Sequence, residues 1–308
     1  VPRIAYLGPQ GTFTEVALLT MSAEGMLPGG PSADEVTAVP TDSTTGALAV
    51  VRSGDADYAC VPIENSIEGS VLPTLDGLAT GTPLQIFAEL TLDVSFTIVV
   101  RDGMRAGDVA TVAAYPVAAA QVRNWLAEQL PSAQLVPANS NAAAANDVAE
   151  GRADAGVSTA LAAERYGLTA LASDIVDEPN ARTRFVLVGP PAPPPDRTGA
   201  DRTSVVLRLA NVPGALVSAM TELAVRDIDL TRIESRPTRT GLGTYMFFLD
   251  CVGHIDDDAV AEALKALHRR CSDVRFLGSW PTGATAGAAP PALDEASRWL
   301  ARLKEGKP

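Results

Sequence analysis

Residues 189–202 read GPPAPPPDRTGADR, with five prolines in fourteen residues and no apolar periodicity. Proline lacks an amide hydrogen and fixes its own φ, so no helix or inner strand runs through such a stretch. The chain is therefore expected to fold as two units joined by a semi-rigid linker. Its 308 residues suit that division, because each part is long enough to bury a core of its own. We place the first unit at 1–189, the linker at 190–202, the second unit at 203–281 and a flexible tail at 282–308. In the tail, Leu293, Ala296, Trp299, Leu300 and Leu303 recur at helical spacing, which predicts one short amphipathic helix.

Before the linker, β-rich runs at 3–7, 36–40, 58–63, 92–100, 111–115, 134–137, 155–158 and 185–188 alternate with helical segments that include 14–23, 46–52, 116–130 and 142–150. That alternation predicts an α/β fold with covered, largely parallel sheets. Thr12 with Glu15 fits a capping box, and Pro116 suits the first position of a helix. After the linker come strand 203–209, helix 215–225, strand 231–235, a turn at 241–243, strand 245–251, helix 257–270 and strand 274–279. The order is βαββαβ, the ferredoxin-like arrangement. The second helix carries Asp256, Asp257 and Asp258 at its start and His268, Arg269 and Arg270 at its end, as its dipole favours. Those charges read as helix-end stabilisers rather than a site.

The ionic composition removes whole reaction classes. Lys and Arg number 24 against 37 Asp and Glu, a net charge of −13, with two histidines and only three lysines, Lys265, Lys304 and Lys307. Cys60, Cys251 and Cys271 stand apart from one another and His254 lies well before His268, so neither a zinc site nor a Cys-His or Ser-His-Asp arrangement has its spacing. No lysine sits in a phosphate-loop or Schiff-base context. The expectation is an absence of metal and of any other cofactor. The acidic balance argues against nucleic acid as a partner, whose affinity comes mostly from phosphate neutralisation. Apolar runs fall far short of the roughly 20 residues that span a bilayer, so no membrane is expected. Val1-Pro2-Arg3-Ile4 enters a strand pattern at once, with no secretion signal, and the unpatterned cysteines suit a reducing cytoplasm.

Three segments could carry chemistry. Gly8-Pro9-Gln10-Gly11-Thr12 joins the first strand to the first helix, where glycines and free helix-start amides favour an anion, although taken alone it reads more readily as a turn with an N-cap. Glu64, Asn65 and Ser66 follow the third strand, at the carboxyl end where open α/β folds bind ligands, though Asn65 also suits a simple helix cap. Arg182-Thr183-Arg184 sets a hydroxyl between two guanidinium groups, either a carboxylate-holding cluster or strand-edge charges that discourage pairing.

Taken together, GPQGTFTE, VPIENSIEGSV, Thr183-Arg184-Phe185, Asn211-Val212-Pro213-Gly214-Ala215-Leu216-Val217 and Glu234-Ser235-Arg236-Pro237 resemble, in order, the prephenate dehydratase family with its regulatory ACT domain. The resemblance covers residues 3 to about 281. Because the first motif begins at residue 8, the monofunctional form is expected.

The resemblance implies a two-lobed catalytic unit like type II solute-binding proteins, with its site between the lobes, followed by a ferredoxin-like ACT domain. It implies conversion of prephenate to phenylpyruvate with loss of carbon dioxide and water. Thr183 would protonate or hydrogen-bond the departing hydroxyl, within a network of Glu64 and Asn65. Gln121 would orient substrate, and Arg184, Thr12 and Ser66 would bind it. Asn211, Pro213, Gly214, Ala215, Leu216, Glu234 and Ser235 would enclose L-phenylalanine as effector across a subunit interface in a homodimer or homotetramer. Two departures stand out. Ala114-Tyr115-Pro116 replaces the commoner Ser-His-Pro, so no role of that Ser or His transfers. Ala181 and Arg182 separate Asn180 from Thr183 where one residue is usual, which leaves the place of Asn180 open. The competing readings are a non-catalytic ACT-linked sensor of a small acid and a cyclohexadienyl dehydratase that also accepts arogenate.

Overall fold

The computed structural model describes residues 1–32, 35–239, 241, 243–283, 287–291 and 294–307, so Leu242 of the expected turn and Leu293 of the tail pattern lie outside the described residues. The chain divides into two compact units, one of Val1–Leu75 with Leu90–Leu187, the other of Asp76–Glu89 with Val188–Pro308.

The first unit is built on two sheets. Its elements are β1 (Arg3–Leu7), α1 (Phe13–Ala23), β2 (Thr37–Thr41), α2 (Thr44–Ser53), β3 (Tyr58–Asn65), β4 (Gly69–Ser70), α3 (Leu72–Ala79), β5 (Gln85–Asp93), β6 (Phe96–Val100), β7 (Thr111–Ala114), α4 (Pro116–Gln121), α5 (Arg123–Gln129), β8 (Gln134–Pro137), α6 (Asn141–Ala149), β9 (Ala155–Ser158), α7 (Ala160–Arg165), β10 (Thr169–Ile175) and β11 (Arg182–Gly189), with α3 and β5 running into the second unit. The first sheet has the order β2-β1-β3-β11-β5 with β4 beside β3, and the second β10-β6-β9-β7-β8. The chain leaves the first sheet after β5 and returns as β11, so the first lobe is made from two separated stretches of sequence and the second from the single stretch between them.

In β1, Ile4, Ala5 and Tyr6 are wholly buried in succession, as expected for a parallel strand covered on both faces. The second sheet is mixed rather than largely parallel. β6 runs antiparallel to both β9 and β10, while β7 is parallel to β8 and β9. The alanine-rich α6 packs on this sheet at Gly156, where a Cβ would stand 2.9 Å from the carbonyl oxygen of Ala144. The small residues on both sides let helix and strand backbones approach.

The run expected as one strand over 92–100 is two, β5 and β6. The single helix expected over 116–130 is likewise broken at Val122 (φ −125°, ψ 16°). Asp177 accounts for the break: its amide donates to the Gln121 carbonyl at 2.7 Å, and its carboxylate accepts from the Asn124 amide at 2.8 Å. One distant residue thus satisfies backbone groups on both sides of the interruption.

The second unit contains β12 (Asp201–Arg208), α8 (Ala215–Ala224), β13 (Leu230–Pro237), β14 (Tyr245–Val252), α9 (Asp258–Arg270), β15 (Asp273–Pro281) and α10 (Asp294–Lys304). The antiparallel sheet has the order β13-β14-β12-β15, the ferredoxin-like arrangement, with Leu207, Leu223, Leu249 and Leu267 in the core between sheet and helices. Residues 76–89 belong here for a packing reason that periodicity does not reveal. Gly278 of β15 (φ +135°) lies so close to this segment that a Cβ would collide with the Ile86 carbonyl oxygen. Beside it Arg202 donates to both carboxylate oxygens of Glu89, at 2.8 and 2.6 Å, and the Trp280 indole donates to the same carboxylate at 3.0 Å. Residue by residue, Glu89, Arg202 and Trp280 are all buried.

His268 is exposed at the end of α9, in keeping with its reading as a helix-end charge; Arg270 in addition pairs with Glu222 of α8. The tail helix is present as α10.

Candidate active site

β3 and β11 are neighbours in the first sheet, and this adjacency brings two of the sequence segments together. The Asn65 amide Nδ2 donates to the Thr183 hydroxyl at 3.0 Å. Its Oδ1 accepts from the amides of Ile67 and Glu68 at 2.8 and 3.1 Å. Those two amides fix which way the Asn65 side chain points, so the group facing Thr183 is a donor. The Thr183 oxygen accepts, and its own proton is directed elsewhere. Asn65 caps the turn at 65–68 rather than α3, which starts only at Leu72.

The other members of the pair of strands hold each other. Arg184, almost buried, forms an ion pair of 3.0 Å with Glu64. The Arg182 Nε donates to Asp93 at 2.7 Å. The Ser66 hydroxyl donates to the Asn180 carbonyl at 3.2 Å and accepts from the Arg182 amide at 2.9 Å, stitching the end of β3 to the start of β11. With one proton to give, Ser66 spends it on the backbone.

A cleft of about 1050 Å³ opens between the two lobes of this unit. Its wall is formed by Gly8, Gln10 and Thr12 ahead of α1, by Thr41 and Asp42 at the end of β2, by Tyr115 ahead of α4, by Asn139, Ser140 and Asn141 ahead of α6, and by Tyr166. The Thr12 hydroxyl donates to the Leu7 carbonyl at 2.9 Å and accepts from the Glu15 amide at 3.4 Å. It therefore serves α1 as its N-cap. The capping box expected here is only half formed, because the Glu15 carboxylate accepts from Gly11 at 2.5 Å instead of from Thr12.

Among the described residues, no arginine or lysine lines the cleft. The sequence had pointed to Arg182, Arg184 and the first loop's amides as the sources of positive potential. Both arginines are engaged with carboxylates, and the amides of Gly8 and Gly11 are taken by the Thr41 carbonyl and Glu15. What remains is the geometry of the sheets. The starts of α1 and α6 border the cleft, and that of α2 follows two residues after Asp42. At each start the N-cap hydroxyl takes one amide, and the positive end of the helix dipole holds an anion by roughly 0.3–1 kcal/mol. The polar triplet Asn139-Ser140-Asn141 was missed in the sequence reading, although its place after a strand and before a helix is a usable signal.

Neither Thr183, Asn65 and Glu64 nor Gln121 is part of that wall. Gln121 is 7% exposed, and its Oε1 is buried without a hydrogen-bond partner among the described residues. It ends α4, the helix that begins beside the cleft at Tyr115, and the Gln121–Asp177 backbone bond ties it to the loop that leads into β11. Burial pushes the thiols of Cys60 and Cys251 up to about 12, which leaves neither as a nucleophile at neutral pH.

In the second unit, Asn211, Val212, Pro213 and Gly214 form an exposed turn before α8, and Ala215 and Leu216 are half-buried. Gly214 is the N-cap at φ +79°. Glu234 and Ser235 lie on β13, one of the two outer strands of the sheet.

The family model for prephenate dehydratase matches residues 4–193, and that for the ACT domain matches 203–269. The chain belongs to the prephenate dehydratase family. A prephenate dehydratase of Mycobacterium sp. (strain JLS) is 79% identical over 309 residues, covering 100% of this chain and 98% of that protein. The crystal structure of a prephenate dehydratase from Arthrobacter aurescens in complex with L-Phe is 41% identical with a TM-score of 0.87, covering 98% of this chain and 99% of that one. GqqA, described as a quorum quenching acylase, is 29% identical with a TM-score of 0.79 over 91% of this chain and 98% of its own. All the candidate catalytic residues fall inside the stretch that matches the prephenate dehydratase model, and the turn before α8 and β13 fall inside the ACT match.

Proposed function

We propose that this chain is a prephenate dehydratase, a carbon–oxygen lyase that converts prephenate to phenylpyruvate. The reaction breaks the bond from the ring to its carboxylate and the bond from the ring to its hydroxyl. Carbon dioxide leaves, the electron pair it leaves behind completes the aromatic ring, and the hydroxyl departs as water once it has gained a proton. Aromatisation supplies much of the driving force, so the protein's part is to hold a dianion and to supply that proton. General-acid help of about 10² to 10⁴-fold corresponds to roughly 3–5 kcal/mol.

The observation that carries this reading is the Asn65–Thr183 hydrogen bond. Because the Asn65 amide donates, Thr183 keeps its proton for an acceptor such as the departing oxygen. Thr183 is the proton donor in this reading, Asn65 and the Glu64–Arg184 pair orient it, and the buried acceptor of Gln121 holds a substrate hydroxyl. The substrate carboxylates lie against the helix starts of the cleft, with Thr12 and Ser66 keeping the loops in place and Arg184 acting through Glu64. The turn from Asn211 to Leu216, with Glu234 and Ser235 on β13, takes L-phenylalanine as effector in a homodimer or homotetramer. The decisive experiment is turnover of purified protein on prephenate and on arogenate, with phenylpyruvate followed directly and L-phenylalanine added and withheld. Absence of phenylpyruvate from prephenate sinks the assignment; equal turnover of arogenate makes the enzyme a cyclohexadienyl dehydratase.

A further inference from the structure

Glu15 and Arg165 stand outside the chemistry just described and do not line the cleft, yet their chain neighbours Thr14 and Tyr166 do. Glu15, on the first turn of α1, is 2% exposed, a depth at which a carboxylate is rarely found without partners. It has two. One oxygen accepts from the Gly11 amide at 2.5 Å, and the other pairs with the guanidinium of Arg165 on α7. α1 packs on the first sheet and α7 on the second, so the pair joins the two lobes of this unit.

Gly11 is gripped from the second lobe as well. Its carbonyl accepts from the Thr159 hydroxyl at 2.6 Å, and its Cα lies so close to α7 that a Cβ would meet Ala162 Cβ at 2.8 Å. At φ +87° the position suits glycine alone. On either side of Gly11, Gln10 and Thr12 face the cleft, and Tyr166, the neighbour of Arg165, faces it too. Glu15 is buried but the Arg165 side chain is 35% exposed, so the carboxylate loses its water while the guanidinium stays open to solvent, and the pair is a poor device for stability alone.

We infer that Glu15 and Arg165 are positioning residues for the reaction: through Gly11 they set the 8–12 loop and the spacing of the two lobes across the cleft, and so the fit of the substrate dianion. This rests on the proposed turnover of prephenate. The pair acts on how substrate is held rather than on proton transfer, so its loss appears in KM.

The test compares Arg165→Met, Arg165→Lys and the double variant Glu15→Met/Arg165→Met with the parent, in prephenate turnover and thermal unfolding. Arg165→Met is expected to raise KM about tenfold with kcat changed less than about threefold. Arg165→Lys, which keeps the charge, recovers most of the loss. The double variant melts at or above the parent temperature yet keeps the raised KM. An unchanged KM in Arg165→Met, or a double variant with parental KM, overturns the proposal, as does an Arg165→Met that unfolds in step with its loss of activity. A parent without turnover on prephenate sinks the functional reading itself, and this one with it.

Discussion

The Asn65 side-chain amide donates to the Thr183 hydroxyl at 3.0 Å, across two adjacent strands whose residues are 118 positions apart in sequence. The direction of that bond decides what Thr183 can do. Thr183→Ala removes the proton donor without opening a large cavity, since the residue is small and lies at a strand start. Turnover of prephenate is expected to fall by about 10² to 10⁴-fold with the circular dichroism spectrum unchanged. Thr183→Ser retains the hydroxyl and most of the rate; near-parental turnover in the alanine variant would remove Thr183 from the mechanism.

Asn65→Asp tests the direction itself. The carboxylate still accepts from Ile67 and Glu68, so the turn survives, but it now accepts from Thr183 and consumes the proton that the reaction needs. We expect kcat to drop by about tenfold or more while KM moves little, as when an interaction of the transition state is lost. A KM effect alone would mean that Asn65 binds substrate directly.

Gly214→Val places a β-branched side chain at φ +79°, a conformation that L residues rarely adopt. The turn before α8 must shift to relieve it. The ratio of turnover with and without L-phenylalanine, which departs from one in the parent, is expected to return to one. A parental response in the variant would place the effector elsewhere.

Arg202→Met removes from the Glu89 carboxylate, in the interior of the second unit, both hydrogen bonds that the guanidinium gives it. Breaking a buried pair from one side costs about 3–5 kcal/mol, whereas Arg202→Met with Glu89→Met removes both charges and is expected to recover most of that. Urea unfolding of the two variants measures the difference. Equal losses in single and double variants would show that packing, not charge, holds residues 76–89 to β15.

Burial raises Cys60 and Cys251 from their ordinary 9.0 to about 12. Both are expected to resist alkylation in the native protein at pH 8 and to react once it is unfolded. Because the folded values are the higher ones, the stability these protonated thiols contribute is held below the ordinary value of 9.0 and declines as the pH rises from there toward about 12. Rapid native labelling of Cys60 would contradict its burial.

Much of this was legible in the sequence because it is local. Helix starts at Thr12 and Pro116, the proline-rich break after β11 and the βαββαβ order depend on neighbours a few residues apart, and periodicity reports such neighbours. Order along the chain also identified the motif residues Glu64, Asn65, Thr183 and Arg184. What the local pattern could not contain was the identity of partners. The break in the helix at Val122 is made by Asp177, and the capping box is undone because Glu15 turns to Gly11 and to Arg165, 150 positions away. The two arginines read as anion holders are neutralised by Asp93 and Glu64, which moves the positive potential to backbone helix starts. Charge and propensity belong to residues and are carried by the sequence; which charge meets which is set by strand order and lobe packing, and only the folded chain decides it.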